Sequence, residues 1–187
     1  MKRRTFVLGG LAAGGLGASA GAVAESFDTP KVPDLTLLDH LGRPVPLRSL
    51  LARHTVAVNF IFTGCANFCP PQTAVFRAVQ MRLPELRALQ PAPLLLSLSL
   101  DPLSDSPQAL VRYAQRFEAK LGLEQGWLML TGEVAAMGQA ALAFDAGGPN
   151  LDDHPARLWV GSKSRWLSAT GLAGPDVVLR MMKKVAA

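Results

Sequence analysis

Thr55-Val56-Ala57-Val58-Asn59-Phe60-Ile61-Phe62, followed at once by Thr63-Gly64-Cys65-Ala66-Asn67-Phe68-Cys69-Pro70, decides the reading of this 187-residue chain. The first of these stretches is β-branched, aromatic or apolar almost throughout and has strand length, which predicts a central strand covered on both faces. Thr63-Gly64 ends it. Beyond Pro70, Val75, Phe76, Val79, Leu83 and Leu86 recur at helical spacing and predict a helix from Pro71 to Leu89. The two cysteines therefore stand where a buried strand hands over to a helix. Backbone N–H groups at a helix start stabilise negative charge, which lowers a thiol pKa and raises the thiolate fraction. Three intervening residues put the sulfurs about one helical turn apart on the same side. Such a pair can close a disulfide or hold one ion, and two thiolates make a soft site that suits Cu(I) and, with nitrogen ligands, Zn or Cu(II).

Outward from this junction the elements alternate. On the N-terminal side, Leu35 to Leu38 and Val45 to Leu47 read as a short hairpin, with Ser49 capping a helical turn through Leu51. On the C-terminal side, Leu94 to Leu100 is a second buried strand. Ser106-Pro107 has the N-cap and first-position proline of a helix start, and Leu110, Tyr113, Phe117 and Leu121 give that helix its apolar face. Trp127 to Leu130 is a short strand, Val134 to Phe144 a helix, Arg157 to Val160 and Trp166 to Thr170 a hairpin, and Pro175 to Val185 a last helix. This is the order of a thioredoxin-like domain: an α/β fold with a central mixed sheet flanked by helices, expected over residues 35–187.

Composition agrees and narrows the class. Hydrophobic residues make up 49% and charged residues 18%, enough to bury a core and too apolar for disorder. The net charge of +5 is inflated by the first residues, since Lys2, Arg3 and Arg4 stand in a segment without any acid; past residue 24 there are 16 basic against 14 acidic residues. The remaining Lys and Arg are scattered, which argues against a nucleic-acid face. Residues 1–24 have the parts of an export signal: a basic start, a Gly- and Ala-rich apolar stretch, and the small-x-small pattern Ala22-Val23-Ala24. Arg3-Arg4 followed by Thr5, Phe6 and Val7 resembles a twin-arginine signal. Cleavage is expected after Ala24, with an uncleaved anchor as the alternative, and residues 25–34 form a linker. No other stretch reaches spanning length, so the domain is expected in the periplasm or at the periplasmic face of the inner membrane of a bacterial envelope. Membrane contact would then come only through an uncleaved leader or a partner. Disulfides persist in that compartment, which gives two cysteines a redox or metal reading.

The histidines are His40, His54 and His154. His40 falls in the hairpin turn and His54 just before the first buried strand, and both are expected as exposed loop residues. His154 follows Asp152-Asp153 and feeds the strand that begins near Arg157, which in a thioredoxin-like topology lies close to the cysteine-bearing end of the sheet. Its spacing alone leaves a solvated loop histidine and a ligand equally open. Trp127, Trp159 and Trp166 are expected as packing residues. Met81, Met129, Met137, Met181 and Met182 show core-like spacing and no methionine copper motif.

Four elements in register resemble the SCO/SenC family of copper chaperones, related to cytochrome c oxidase assembly. They are CxxxCP at Cys65 to Pro70, DPxxDxP at Asp101 to Pro107, Trp and Leu-Thr-Gly within Trp127 to Gly132, and Asp153-His154 just before a strand. The likeness runs from about Val32 to Val185. It implies that Cys65, Cys69 and His154 together bind one copper ion, as Cu(I) or Cu(II). The chain departs from the family in Ala66-Asn67 where Pro-Asp is common and in Pro155 where Ser is common. Asn67 removes a negative charge beside the site, and Pro155 restricts His154 to an extended backbone. Neither change deletes a ligand. Asp101 and Asp105 are expected to organise the turn and cap after the second strand.

The resemblance implies an assembly factor, not an enzyme, that delivers copper to the Cu(A) site of a terminal oxidase. Its partners would be the copper-receiving subunit or another copper chaperone, and a thiol reductant. Oxidation to a Cys65–Cys69 disulfide would release the ion. The competing reading is a periplasmic thiol–disulfide oxidoreductase in which Cys65 and Cys69 are catalytic; against it, such enzymes usually carry CxxC. A peroxiredoxin-type peroxidase fits worse, because Thr63 stands two residues before Cys65 and not three.

Overall fold

The computed structural model describes residues 29–148, 150–151 and 155–187. Residues 1–24, read above as an export signal, the first residues of the expected linker, and Asp152-Asp153-His154 lie outside the described residues. The elements run β1 (Thr36–Leu38), β2 (Pro44–Pro46), α1 (Leu47–Arg53), β3 (Thr55–Ile61), α2 (Cys69–Arg82), a 3-10 turn (Leu83–Leu86), β4 (Pro93–Ser99), α3 (Pro107–Gln115), β5 (Trp127–Leu130), α4 (Val134–Ala143), β6 (Arg157–Ser162), β7 (Arg165–Thr170) and α5 (Pro175–Ala186).

Five strands form one sheet in the order β5-β4-β3-β6-β7. β3, β4 and β5 run parallel, while β6 is antiparallel to β3 and β7 to β6. The sheet is thus mixed, with β3 at its centre and every residue of β3 buried. Alternate side chains feed two cores, as strand geometry requires. Ala57 and Ile61 pack with Phe76 and Val79 of α2, Leu110 and Tyr113 of α3, and Val178 and Met182 of α5. Val56, Val58 and Phe60 pack with Leu47 and Leu50 of α1 and Met137 and Ala140 of α4. β1 and β2 form a separate antiparallel ribbon, closed by Asp39, whose carboxylate accepts from the Leu41 and Arg43 N–H groups at 2.9 Å each.

Three boundaries differ from the sequence reading for local reasons. α1 starts at Leu47 with Pro46 as its N-cap, not at a Ser49 cap, because Leu47, Leu50 and Leu51 bury one helical face. α2 begins at Cys69, since Pro70 and Pro71 occupy first-turn positions where a missing N–H costs nothing. It ends at Arg82 and not at Leu89, because Pro84 cannot continue the α-helical ladder, and the chain tightens into the 3-10 turn. Ser106 does cap α3, its side chain accepting from Ala109 N–H at 3.2 Å. All three tryptophans are buried, but Met81, expected in the core, is 67% exposed on α2. In the last hairpin the Trp166 ring lies flat on Gly161, where a Cβ would run into it.

Candidate metal centre

β3 delivers the chain to the cysteines at its C-terminal end. Phe62 C=O accepts from Cys65 N–H at 3.1 Å, which turns the backbone after the strand. Asp105 holds this turn. It is fully buried, and its Oδ1 accepts from Thr63 N–H at 3.0 Å and Thr63 Oγ1 at 2.7 Å. Its Oδ2 accepts from Ser99 Oγ at 2.6 Å, at the neighbouring end of β4. Asp105 therefore does more than shape its own turn: it ties the ends of two parallel strands together beneath the cysteines. Asp101 has the local role expected of it, accepting from Ser104 N–H through its carboxylate and from Ser104 and Asp105 N–H through its carbonyl.

The two cysteines come together as thiols. Cys69 N–H points at Cys65 Sγ, 3.4 Å away, and the Cys69 thiol also bonds the Cys65 sulfur. Burial opposes thiolate formation at Cys65, but the Cys69 thiol and the N–H groups of Cys69, Asn67 and Phe68 outweigh it and hold this thiol below its ordinary pKa. Cys69 behaves in the opposite way. It is completely buried, it donates to Cys65 and it lies near the Asp105 charge, so its pKa is pushed up to about 12. The pair is asymmetric: one sulfur prepared as thiolate, the other as a proton-bearing partner.

Behind Cys69 a hydroxyl relay fixes the helix start. Thr73 Oγ1 donates to Cys69 C=O at 2.8 Å and sits 2.8 Å from the buried Tyr113 Oη, which then donates to Thr73. Burial raises the Tyr113 pKa, so it stays a neutral donor. Phe68, between the cysteines, is 54% exposed and flanks the site on its outer side.

Of the histidines, His54 precedes β3, at the far end of that strand from the cysteines, and is half-buried with Nδ1 3.0 Å from Leu50 C=O. His40 is also half-buried, two residues past Leu38, which exchanges backbone hydrogen bonds with Thr131 just after β5; burial lowers its pKa. Neither is the exposed residue expected from the sequence, and neither joins the site. His154 lies outside the described residues. The register Val58↔Trp159 nevertheless sets the start of β6 beside the C-terminal end of β3. Arg157, the first residue of β6, is held there by an ion pair with Asp145 at 2.9 Å. Among the described residues no three His, Cys, Asp or Glu side chains gather into a metal-holding group, so the thiol pair is the centre of the site.

The model of the family described as SCO1/SenC matches residues 23–156, taking in the cysteine loop, the Asp105 turn and His154. The chain belongs to the SCO1/SenC family. Among its relatives, the zebrafish (Danio rerio) mitochondrial protein SCO2 homolog is 32% identical over 64% of this chain and 41% of its own length. The SCO1 protein homolog of Bacillus subtilis is 32% identical over 54% of this chain and 49% of its own length. The matched part thus spans less than half of each relative. A SCO1/SenC family lipoprotein from Bacillus anthracis superposes with a TM-score of 0.69 at 20% identity, covering 85% of this chain and 96% of its own. ScoI of Arabidopsis thaliana, solved with copper bound, gives 0.65 at 17% identity, covering 89% and 98%. These likenesses establish the thioredoxin-like fold expected from the order of elements.

Proposed function

We propose that this chain binds one copper ion through Cys65, Cys69 and His154 and passes it to the Cu(A) site of a terminal oxidase, directly or through another copper chaperone. The observation that carries this reading is the thiol pair itself: a Cys65 sulfur held toward thiolate by three backbone N–H groups, against a buried Cys69. Two thiolate sulfurs suit a soft ion. The start of β6 at the same end of the sheet supports His154 as the nitrogen ligand, because His154 precedes β6 by so few residues. The family supports copper as cargo, since its solved relatives include ScoI of Bradyrhizobium japonicum with copper bound.

Loading proceeds by ligand exchange. The ion displaces the thiol protons, with the Cys69 proton the harder to remove, and delivery transfers it to the recipient's own ligands. Closing the Cys65–Cys69 disulfide would discharge it, with two electrons passed from the two thiolates to an oxidant; a thiol reductant restores the dithiol by returning two electrons and two protons. Residues 1–24 act as the export leader and residues 25–34 as a linker, placing the domain of residues 35–187 in the periplasm or at the periplasmic face of the inner membrane. Among the described residues no helix is long and apolar enough to cross a membrane.

The asymmetry of the thiols also favours a second reading, a thiol–disulfide oxidoreductase. Cys65 thiolate would attack a partner disulfide, and Cys69 would resolve the mixed disulfide, leaving two reduced partner thiols and an oxidised Cys65–Cys69 pair. Copper titration of the reduced chain beside His154→Ala separates the two. One tight equivalent in the parent, sharply weakened in the variant, is expected. Binding that is weak, or indifferent to His154, would leave only the redox role.

A further inference from the structure

Asn59 interrupts the apolar run of β3, and its side chain is 1% exposed with neither Oδ1 nor Nδ2 hydrogen-bonded to another protein atom. Gln72, three residues beyond Cys69 on α2, is 7% exposed, and its Oε1 is equally without a protein partner. Both side chains line the same cavity, between β3, α2 and the segment after β7, whose other walls include Val75, Phe76, Leu158 and Ala173. Buried polar atoms left unpaired keep the full cost of their lost hydration. The space left to the centre of a water-sized sphere is about 10 Å³, the room of a single water and of nothing larger.

We propose that Asn59 and Gln72 bind one internal water molecule that ties α2 to β3 next to the cysteine loop. A water has two hydrogens for the two amide oxygens and lone pairs for Asn59 Nδ2, so its capacity matches the three atoms one for one. The cavity offers the two to four polar partners that a buried water needs, while an apolar cavity of this size would stay dry. The link joins the strand that ends at the cysteine loop to the helix that begins at Cys69. It is independent of what the cysteines bind.

The test uses the reduced, isotope-labelled full chain. Nuclear Overhauser contacts from water to the Asn59 side-chain amide protons, with the sign of a long-lived bound water, are expected. Their absence, or a direct Asn59–Gln72 hydrogen bond, would overturn the proposal. A variant cycle gives a second readout. Asn59→Leu and Gln72→Met each strand the remaining partner and should lower Tm by about 3–10 °C. The double variant removes all the orphaned atoms and fills the space, so it should recover at least half of the combined loss. Losses that simply add would refute a shared water. If a single variant does not fold, the water contacts of the parent still decide.

Discussion

Asp105→Ala is the sharpest probe of how the cysteine loop is held. The substitution strands Thr63 N–H, Thr63 Oγ1 and Ser99 Oγ, which Asp105 accepts at 3.0, 2.7 and 2.6 Å. Each buried donor left unpaired costs about 1–3 kcal/mol. The two hydroxyls can rotate toward other acceptors, but the Thr63 N–H cannot, so the total should be about 3–5 kcal/mol. That is a large part of a typical stability of about 5–15 kcal/mol. Asp105→Asn keeps the shape and an acceptor oxygen for Thr63, and should cost only about 1 kcal/mol. Equilibrium unfolding of the reduced protein in urea reads both values. The Asn variant carries a second expectation. The Asp105 charge helps to raise the Cys69 pKa, so its removal should lower that pKa, followed by thiolate absorbance against pH. An alanine variant that loses less than about 1 kcal/mol, or an Asn variant whose Cys69 titrates as in the parent, would refute the role assigned to this carboxylate.

Gly161→Ala drives a Cβ into the Trp166 ring inside a tight hairpin, and should destabilise by about 1–3 kcal/mol with a change in tryptophan fluorescence; an unchanged Tm would mean the ring can move aside freely. Tyr113→Phe removes the donor to Thr73 and should cost about 1 kcal/mol, while Thr73 keeps its own bond to Cys69 C=O. Full retention of stability would show that the relay contributes nothing. Copper affinity should rise with pH because protons and metal compete for the sulfurs: by about 100-fold per pH unit while both thiols must be deprotonated, and by about tenfold per unit once pH passes the lowered Cys65 pKa, up to about pH 12 where Cys69 titrates. Competition against a chelator at a series of pH values measures the slope, and a flat profile would exclude thiolate ligation.

The strand-to-helix junction was legible because local pattern and global position agree there. A β-branched and aromatic run of strand length, stopped by Thr63-Gly64, reads as a central strand, and every residue of β3 is indeed buried, with Val79 and Phe76 of α2 in the core on one of its faces. The end of α2 was missed because Leu83, Leu86 and Leu89 keep helical spacing past Pro84, and spacing records side chains but not the N–H that proline lacks. Asp105 was underread for a different reason. Its partner Thr63 is 42 residues away, so only the parallel pairing of β3 with β4 brings the two together. A faint signal exists in Thr63 and Ser99, hydroxyl residues at or just beyond the same end of two buried strands, with Asp101 and Asp105 close after the second. The half-burial of His40 and His54 comes from packing around hairpin and helix ends, which no period in the sequence encodes.

The asymmetry of the two thiols is what ties fold to chemistry. It does not come from different residue types, since both are cysteines, but from where the helix begins. Starting α2 at Cys69 makes that residue the first helical position, buries it completely and aims its N–H at Cys65. Cys65, one turn earlier and outside the helix, collects the N–H groups that a helix start leaves unpaired. The same arrangement would suit metal or disulfide chemistry, because a soft ion and an oxidised sulfur both require one ready thiolate with a second sulfur in reach. What separates the two roles is a ligand that disulfide exchange does not need. Under the proposed copper role that ligand would be His154, and β6, which follows it in the chain, pairs beside β3.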